Sequence, residues 1–161
     1  MDGDRGGGGT EVGFYHLTRS ALEPTLGRLL ERVLDSGLRA VVRAASAERA
    51  EALNRALWQF GRDSFLPHGT RADGSAEDQP VFLTDREDYP NRADVLVLVD
   101  GAEADPAGFR RCLYLFDGKD EQALERARDL WRRWRERGMA LTYWEQTERG
   151  WQKAMAAGPE P

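Results

Sequence analysis

The chain is poor in the residues from which most small active sites and metal centres are built. Of its 161 residues, one is cysteine and two are histidine. Cys112 alone can close no internal disulfide and excludes a zinc site of several thiolates, and this usage fits a reducing cytoplasm. Its place inside an apolar run marks an inert buried thiol rather than a nucleophile. His16 and His68 stand far apart, without the His-x-x-x-His spacing of a metal helix, so no metal or cofactor is expected. No window approaches the roughly 18 uninterrupted apolar residues of a membrane span. The start is acidic and glycine-rich, with no apolar stretch behind it, which argues against a signal peptide. Also missing are a Gly-x-Ser-x-Gly elbow, a Gly-Lys-Ser/Thr phosphate loop, and a Gly-x-Gly-x-x-Gly turn after the first strand. These absences leave little for an enzyme to work with.

What is present reads as one α/β domain. Residues 1–10 are low-complexity and are expected as a glycine-rich tail, residues 11–152 as the domain, and residues 153–161 as a frayed end. Val12–Leu17, Leu38–Ala44, Pro80–Thr84, Ala93–Asp100 and Met139–Gln146 read as strands. Phe109–Phe116 fits strand or helix, with Leu113–Phe116 before Asp117-Gly118 favouring strand. Ala93–Asp100 is almost wholly aliphatic and is expected at the centre of the sheet. A helix opens at Ser20 and Glu23 as a capping box and ends at Asp35-Ser36-Gly37; a second is capped by Ser46 with Ala50, Leu53, Leu57 and Phe60 on its apolar face. The alternation predicts a three-layer, Rossmann-like fold with a mostly parallel sheet flanked by helices. Residues 61–80 read as a less regular linker, with the polar run after His68 up to Gln79 as an exposed loop.

The most informative stretch is Asp120–Gly138. Ala123, Leu124, Ala127, Leu130, Trp131 and Trp134 recur at helical spacing and form one apolar stripe, with Trp131 on its border. Arg128, Arg132 and Arg135 line up on the adjoining face. Six arginines fall between positions 126 and 137 in a chain of net charge −5. Such a row is either an ordinary solvated face or a local site for an acidic partner. Trp58, one step off the second helix's apolar face, either anchors an interface or closes the core. Thr18, Arg19 and Ser20 at a helix start either cap the helix or hold a phosphate.

Phe14-Tyr15-His16-Leu17, Ala56-Leu57-Trp58, Asp63-Ser64-Phe65-Leu66-Pro67-His68, Gln79-Pro80-Val81, Asn91–Leu96, and Ala127-Arg128 through Gly138 to Tyr143-Trp144 occur in this order. Together they resemble the chi subunit of bacterial DNA polymerase III holoenzyme, over nearly the whole span from Val12 to Trp151. The resemblance implies a non-catalytic, cytoplasmic adaptor of DNA replication. Such a protein grips the acidic C-terminal tail of single-stranded-DNA-binding protein, which ends in phenylalanine, and reaches the clamp loader through a psi subunit. It needs no membrane and reads no DNA sequence. It places tail binding at Arg128, Trp131 and Arg132, with Arg135 added as their neighbour on the helical wheel, and a psi-facing surface at Trp58, Phe65 and Pro67. Leu124 stands where related chains carry a basic residue. The alternative is a small α/β enzyme taking a nucleotide or phosphate ester at Thr18–Ser20, and a third reading is direct binding of single-stranded nucleic acid by the Arg/Trp helix.

Overall fold

A computed structural model of the chain describes residues 9–59 and 66–159. Eight strands form one sheet in the order β3-β4-β2-β5-β6-β1-β7-β8. They are β1 (Glu11–Leu17), β2 (Ala40–Arg43), β3 (His68–Thr70), β4 (Val81–Thr84), β5 (Val95–Leu98), β6 (Arg111–Asp117), β7 (Ala140–Thr147) and β8 (Gly150–Ala157). Neighbours pair in parallel except for β7 and β8, which form an antiparallel hairpin at one edge. Helices α1 (Leu22–Asp35) and α2 (Ala47–Gln59) pack on one face of the sheet, and α3 (Glu121–Glu136) packs on the other.

The three layers follow from strand periodicity. Along β5, Val95 and Val97 join the core beneath α1 and α2, while Leu96 and Leu98 join the core beneath α3. Along β6, Leu113 and Leu115 face the first core, and Cys112, Tyr114 and Phe116 face the second. A strand covered on both sides has no polar face to show, which explains the aliphatic run at Val95–Val99. The ambiguous stretch before Asp117 is therefore a strand, held between β5 and β1.

Four local expectations change. The helix α1 begins at Leu22 with Ala21 as its N-cap and no side-chain cap, so Ser20 does not serve the capping box. Its hydroxyl instead accepts a hydrogen bond from Gln146 Nε2 at 2.7 Å. The linker holds β3, so Gly69 and Thr70, expected in an exposed loop, are buried with His68 beside β4. Residues expected to fray beyond Trp151 pair with β7 through Ala157 as β8, because the turn at Glu148-Arg149 returns the chain along the sheet edge. Thr10, placed in the N-terminal tail, is buried and donates from Oγ1 to the carbonyls of Phe109 (2.7 Å) and Pro106 (3.1 Å). No helix among the described residues is long and apolar enough to cross a membrane.

Candidate functional site

The helix α3 is fixed at both ends by signals in its own sequence. Asp120 is the N-cap, its Oδ1 accepting from the amides of Gln122 (2.9 Å) and Ala123 (3.4 Å). At the far end, the amide of Gly138 donates to Arg135 O (2.9 Å) and that of Met139 to Trp134 O (3.2 Å). Gly138 has φ +79°. This paired arrangement is a Schellman motif, which needs a left-handed residue at Gly138. Between these ends Ala127, Leu130, Trp131 and Trp134 are buried against the sheet. Trp131 meets Phe14 edge-on, with centroids 5.2 Å apart, and Tyr143 at 5.9 Å.

Anchoring the apolar stripe turns two arginine flanks outward, and they differ in kind. On the flank toward the loop after β5, Arg133 bonds both carboxylate oxygens of Glu103 at 3.1 Å and Asp129 at 2.9 Å, and Arg137 bonds Asp105 at 3.1 Å. The Glu103 carboxylate raises the Arg133 pKa further, while the amide of Ala107 and the Arg137 guanidinium hold the Asp105 carboxyl below its usual range. On the other flank, Arg128 and Arg135 are exposed and make no ion pair among the described residues. Arg132 has only a loose contact with Asp129, at 3.7 Å. One side of the helix is neutralised; the other is left as uncompensated positive charge.

The structure brings Arg128, Arg132 and Arg135 to one flank and places Trp131 beneath them. Trp131 is only 9% exposed, so it is chiefly a core residue with a thin edge at the surface. The aromatic group beside this flank that the sequence reading overlooked is Tyr143. It is half-buried on β7, and its hydroxyl lies 3.0 Å from His16 Nδ1. Burial raises its pKa, as does Glu145, while the charge of Arg128 acts in the opposite sense, which places that guanidinium within electrostatic reach. His16 stacks on Phe116 at 5.2 Å and presses close to the backbone of Gly118. A Cβ at Gly118 would collide with that ring and approach Leu17 O to 2.8 Å. The alternation of β7, with Leu141 and Tyr143 beneath α3, was the available signal for finding Tyr143.

Trp58 lies elsewhere, at the end of α2. It is 55% exposed, with its ring 4.2 Å from that of buried His68. His68 sits between two backbone carbonyls, Leu66 O at 2.5 Å and Asn54 O at 3.0 Å, and thereby ties the loop to α2. Pro67 is half-buried beside it, and Phe65 lies outside the described residues. This surface shares no residue with the arginine flank.

The helix start at Thr18–Ser20 opens onto a crevice of about 720 Å³ at the carboxyl ends of β1 and β6. Here the chain leaves the sheet toward opposite faces, the usual ligand position in such folds. The amides a phosphate would need are already engaged. Those of Thr18, Arg19 and Ser20 all donate to Gln146 Oε1, at 3.1, 2.9 and 3.2 Å. Nearby Arg49 is bonded to Asp100 at 2.9 Å and pairs with Glu23 at 3.5 Å. Among the described residues no three His, Cys, Asp or Glu side chains gather as a metal site would require.

Fold and surface together define a three-layer, Rossmann-like α/β domain whose basic helix carries one uncompensated arginine flank. Residues 10–142 match the family described as DNA polymerase III chi subunit, HolC, and the chain belongs to that family. It is 32% identical over 89 residues to a protein of Rickettsia prowazekii (strain Madrid E) described as "Probable DNA polymerase III subunit chi". That match covers 55% of this chain and 54% of the relative, so the chain spans about half the length of the curated relative it matches.

Proposed function

We propose that this chain is a non-catalytic accessory subunit of the replicative polymerase that binds the acidic, phenylalanine-ended tail of single-stranded-DNA-binding protein. Through a psi subunit or its equivalent it connects that tail to the clamp loader. Family membership supports the replisome setting. The observation that carries the binding role is the asymmetry of α3: Arg133 and Arg137 are matched by acids, whereas Arg128 and Arg135 pair with none among the described residues. Arginines already committed to carboxylates recruit no acidic partner; exposed, unmatched ones retain donors for bidentate bonds. The roles of Arg128, Arg132 and Arg135 as carboxylate contacts, of the Trp131 edge as an aromatic contact, and of Trp58, Phe65 and Pro67 as the surface for a clamp-loader partner belong to this proposal.

Direct binding of single-stranded nucleic acid is the weaker reading, because a base needs an open aromatic face and Trp131 offers only an edge. A phosphate-ester enzyme would first have to displace Gln146 from the Thr18–Ser20 amides. The test is calorimetric titration of an acidic, phenylalanine-ended peptide into the wild type, Arg128→Ala and Arg132→Ala. Loss of one charge-assisted contact of about 1.5–3 kcal/mol corresponds to a weakening of tenfold or more. Equal affinity in all three proteins would sink the assignment. So would tighter binding of a single-stranded oligonucleotide than of the peptide in the same titration.

A further inference from the structure

We infer that the β7–β8 hairpin is the second wall of the peptide site, with Met155 of β8 forming the apolar seat for the peptide's terminal aromatic ring. This rests on the reading just proposed. It starts from the register of the hairpin, in which Tyr143 pairs with Met155, so both side chains project on the α3 side of the sheet. Tyr143 is held by Trp131 above and His16 beside it. Met155 lies one strand further out, beyond the cover of the helix, and is 50% exposed. Met155 and Trp58 are the two large hydrophobic side chains so exposed among the described residues, and Met155 is the one on the sheet face that carries Tyr143.

A β-bulge falls at the same place. The register shifts between Tyr143 and Trp144, leaving Ala154 as the extra residue next to Met155. Bulges sharpen the local twist and re-aim the neighbouring side chain. The α3 side of this sheet edge therefore carries two unlike surfaces. The arginine flank, Arg128 and Arg132, supplies charge, and the hairpin, Tyr143 and Met155, supplies apolar and aromatic surface.

The occupant that matches both sides is an acidic peptide ending in an aromatic residue. Its carboxylates meet the unmatched guanidiniums, and its ring lies across Tyr143 onto the thioether, a soft group that makes favourable sulfur–aromatic contacts. A purely acidic ligand would leave Met155 unused. A purely apolar one would leave Arg128 unmatched.

The experiment is fluorescence polarisation with two labelled acidic peptides, one ending in phenylalanine and one in alanine, titrated with the wild type, Met155→Ala, Met155→Leu and Arg128→Ala. Met155→Ala is expected to weaken the phenylalanine peptide about three- to tenfold, as for an interface apolar anchor. It should leave the alanine peptide within about twofold, and Met155→Leu should restore most of the loss. Arg128→Ala should weaken both peptides. Unchanged affinity of Met155→Ala for the phenylalanine peptide, while Arg128→Ala still weakens it, overturns the hairpin wall and leaves the arginine site standing. A loss in Met155→Leu as large as in Met155→Ala also overturns it. Failure of the wild type to bind either peptide removes the underlying reading and this one together.

Discussion

At the scale of single residues, burial decides what each site position can contribute. Trp131 and Arg128 lie three residues apart on α3, yet one is packed against Phe14 and the other is exposed, with no ion pair among the described residues. Their substitutions should therefore fail differently. Trp131→Ala removes a buried indole and is expected to cost about 3–5 kcal/mol of stability, visible as a lower midpoint in urea. Arg128→Ala should leave that midpoint within about 0.5 kcal/mol of wild type, as surface changes do. A Trp131→Ala protein as stable as the parent would show that the indole is not the core contact described. The sequence places Trp131 at the border of the apolar stripe, and that much is correct. What one helix cannot show is where its partner strands lie, so neither the degree of burial nor the neighbour Tyr143 could be read from positions 120–138.

At the scale of elements, the parts that were legible carry their signals locally. The cap at Asp120, the stop at Gly138 and the apolar spacing between them define α3 without reference to the rest of the chain. Asp120→Ala should destabilise by about 0.5–2 kcal/mol, since two first-turn amides lose their acceptor. An unchanged melting temperature would show that the cap contributes nothing. The illegible parts depend on distant partners. Ser20 and Glu23 look like a capping box, but Gln146, 126 residues beyond Ser20, takes the hydroxyl and the preceding amides. The strand β3 is only three residues long, too short for a periodic pattern. β8 is mostly exposed and poor in β-branched residues, so it looked like a loose end, yet main-chain pairing with β7 needs neither.

At the scale of the molecule, the sheet keeps the arginine flank and the Trp58 surface apart. The arginine flank lies on the α3 side, near the β7–β8 edge, while Trp58 and Pro67 lie at the end of α2 near the opposite edge, where β3 is. That separation suits the proposed adaptor role, in which two partners are held without either blocking the other. The sheet's burial of phenols also sets an alkaline limit. Tyr15, Tyr114 and Tyr143 all have pKa values raised above 10.0, in each case chiefly by burial. A raised pKa favours the protonated form in the folded state. The associated stability is therefore complete below the unfolded value and falls as pH rises through the folded ones. Melting temperature should decline as pH is taken above 10; a flat profile to pH 11 would contradict the burial of these three rings.

The proposed role in replication depends most directly on whether this protein recognises an acidic chain end. The decisive measurement is fluorescence polarisation of an acidic peptide ending in phenylalanine against the same peptide lacking that residue, each titrated with the intact protein at low and moderate salt. Saturable binding of the full peptide, much weaker binding of the truncated one, and loss of affinity as salt screens the exposed arginines are the expected results. No binding of the full peptide at low salt, or binding indifferent to both the terminal residue and the salt, would contradict the proposed function.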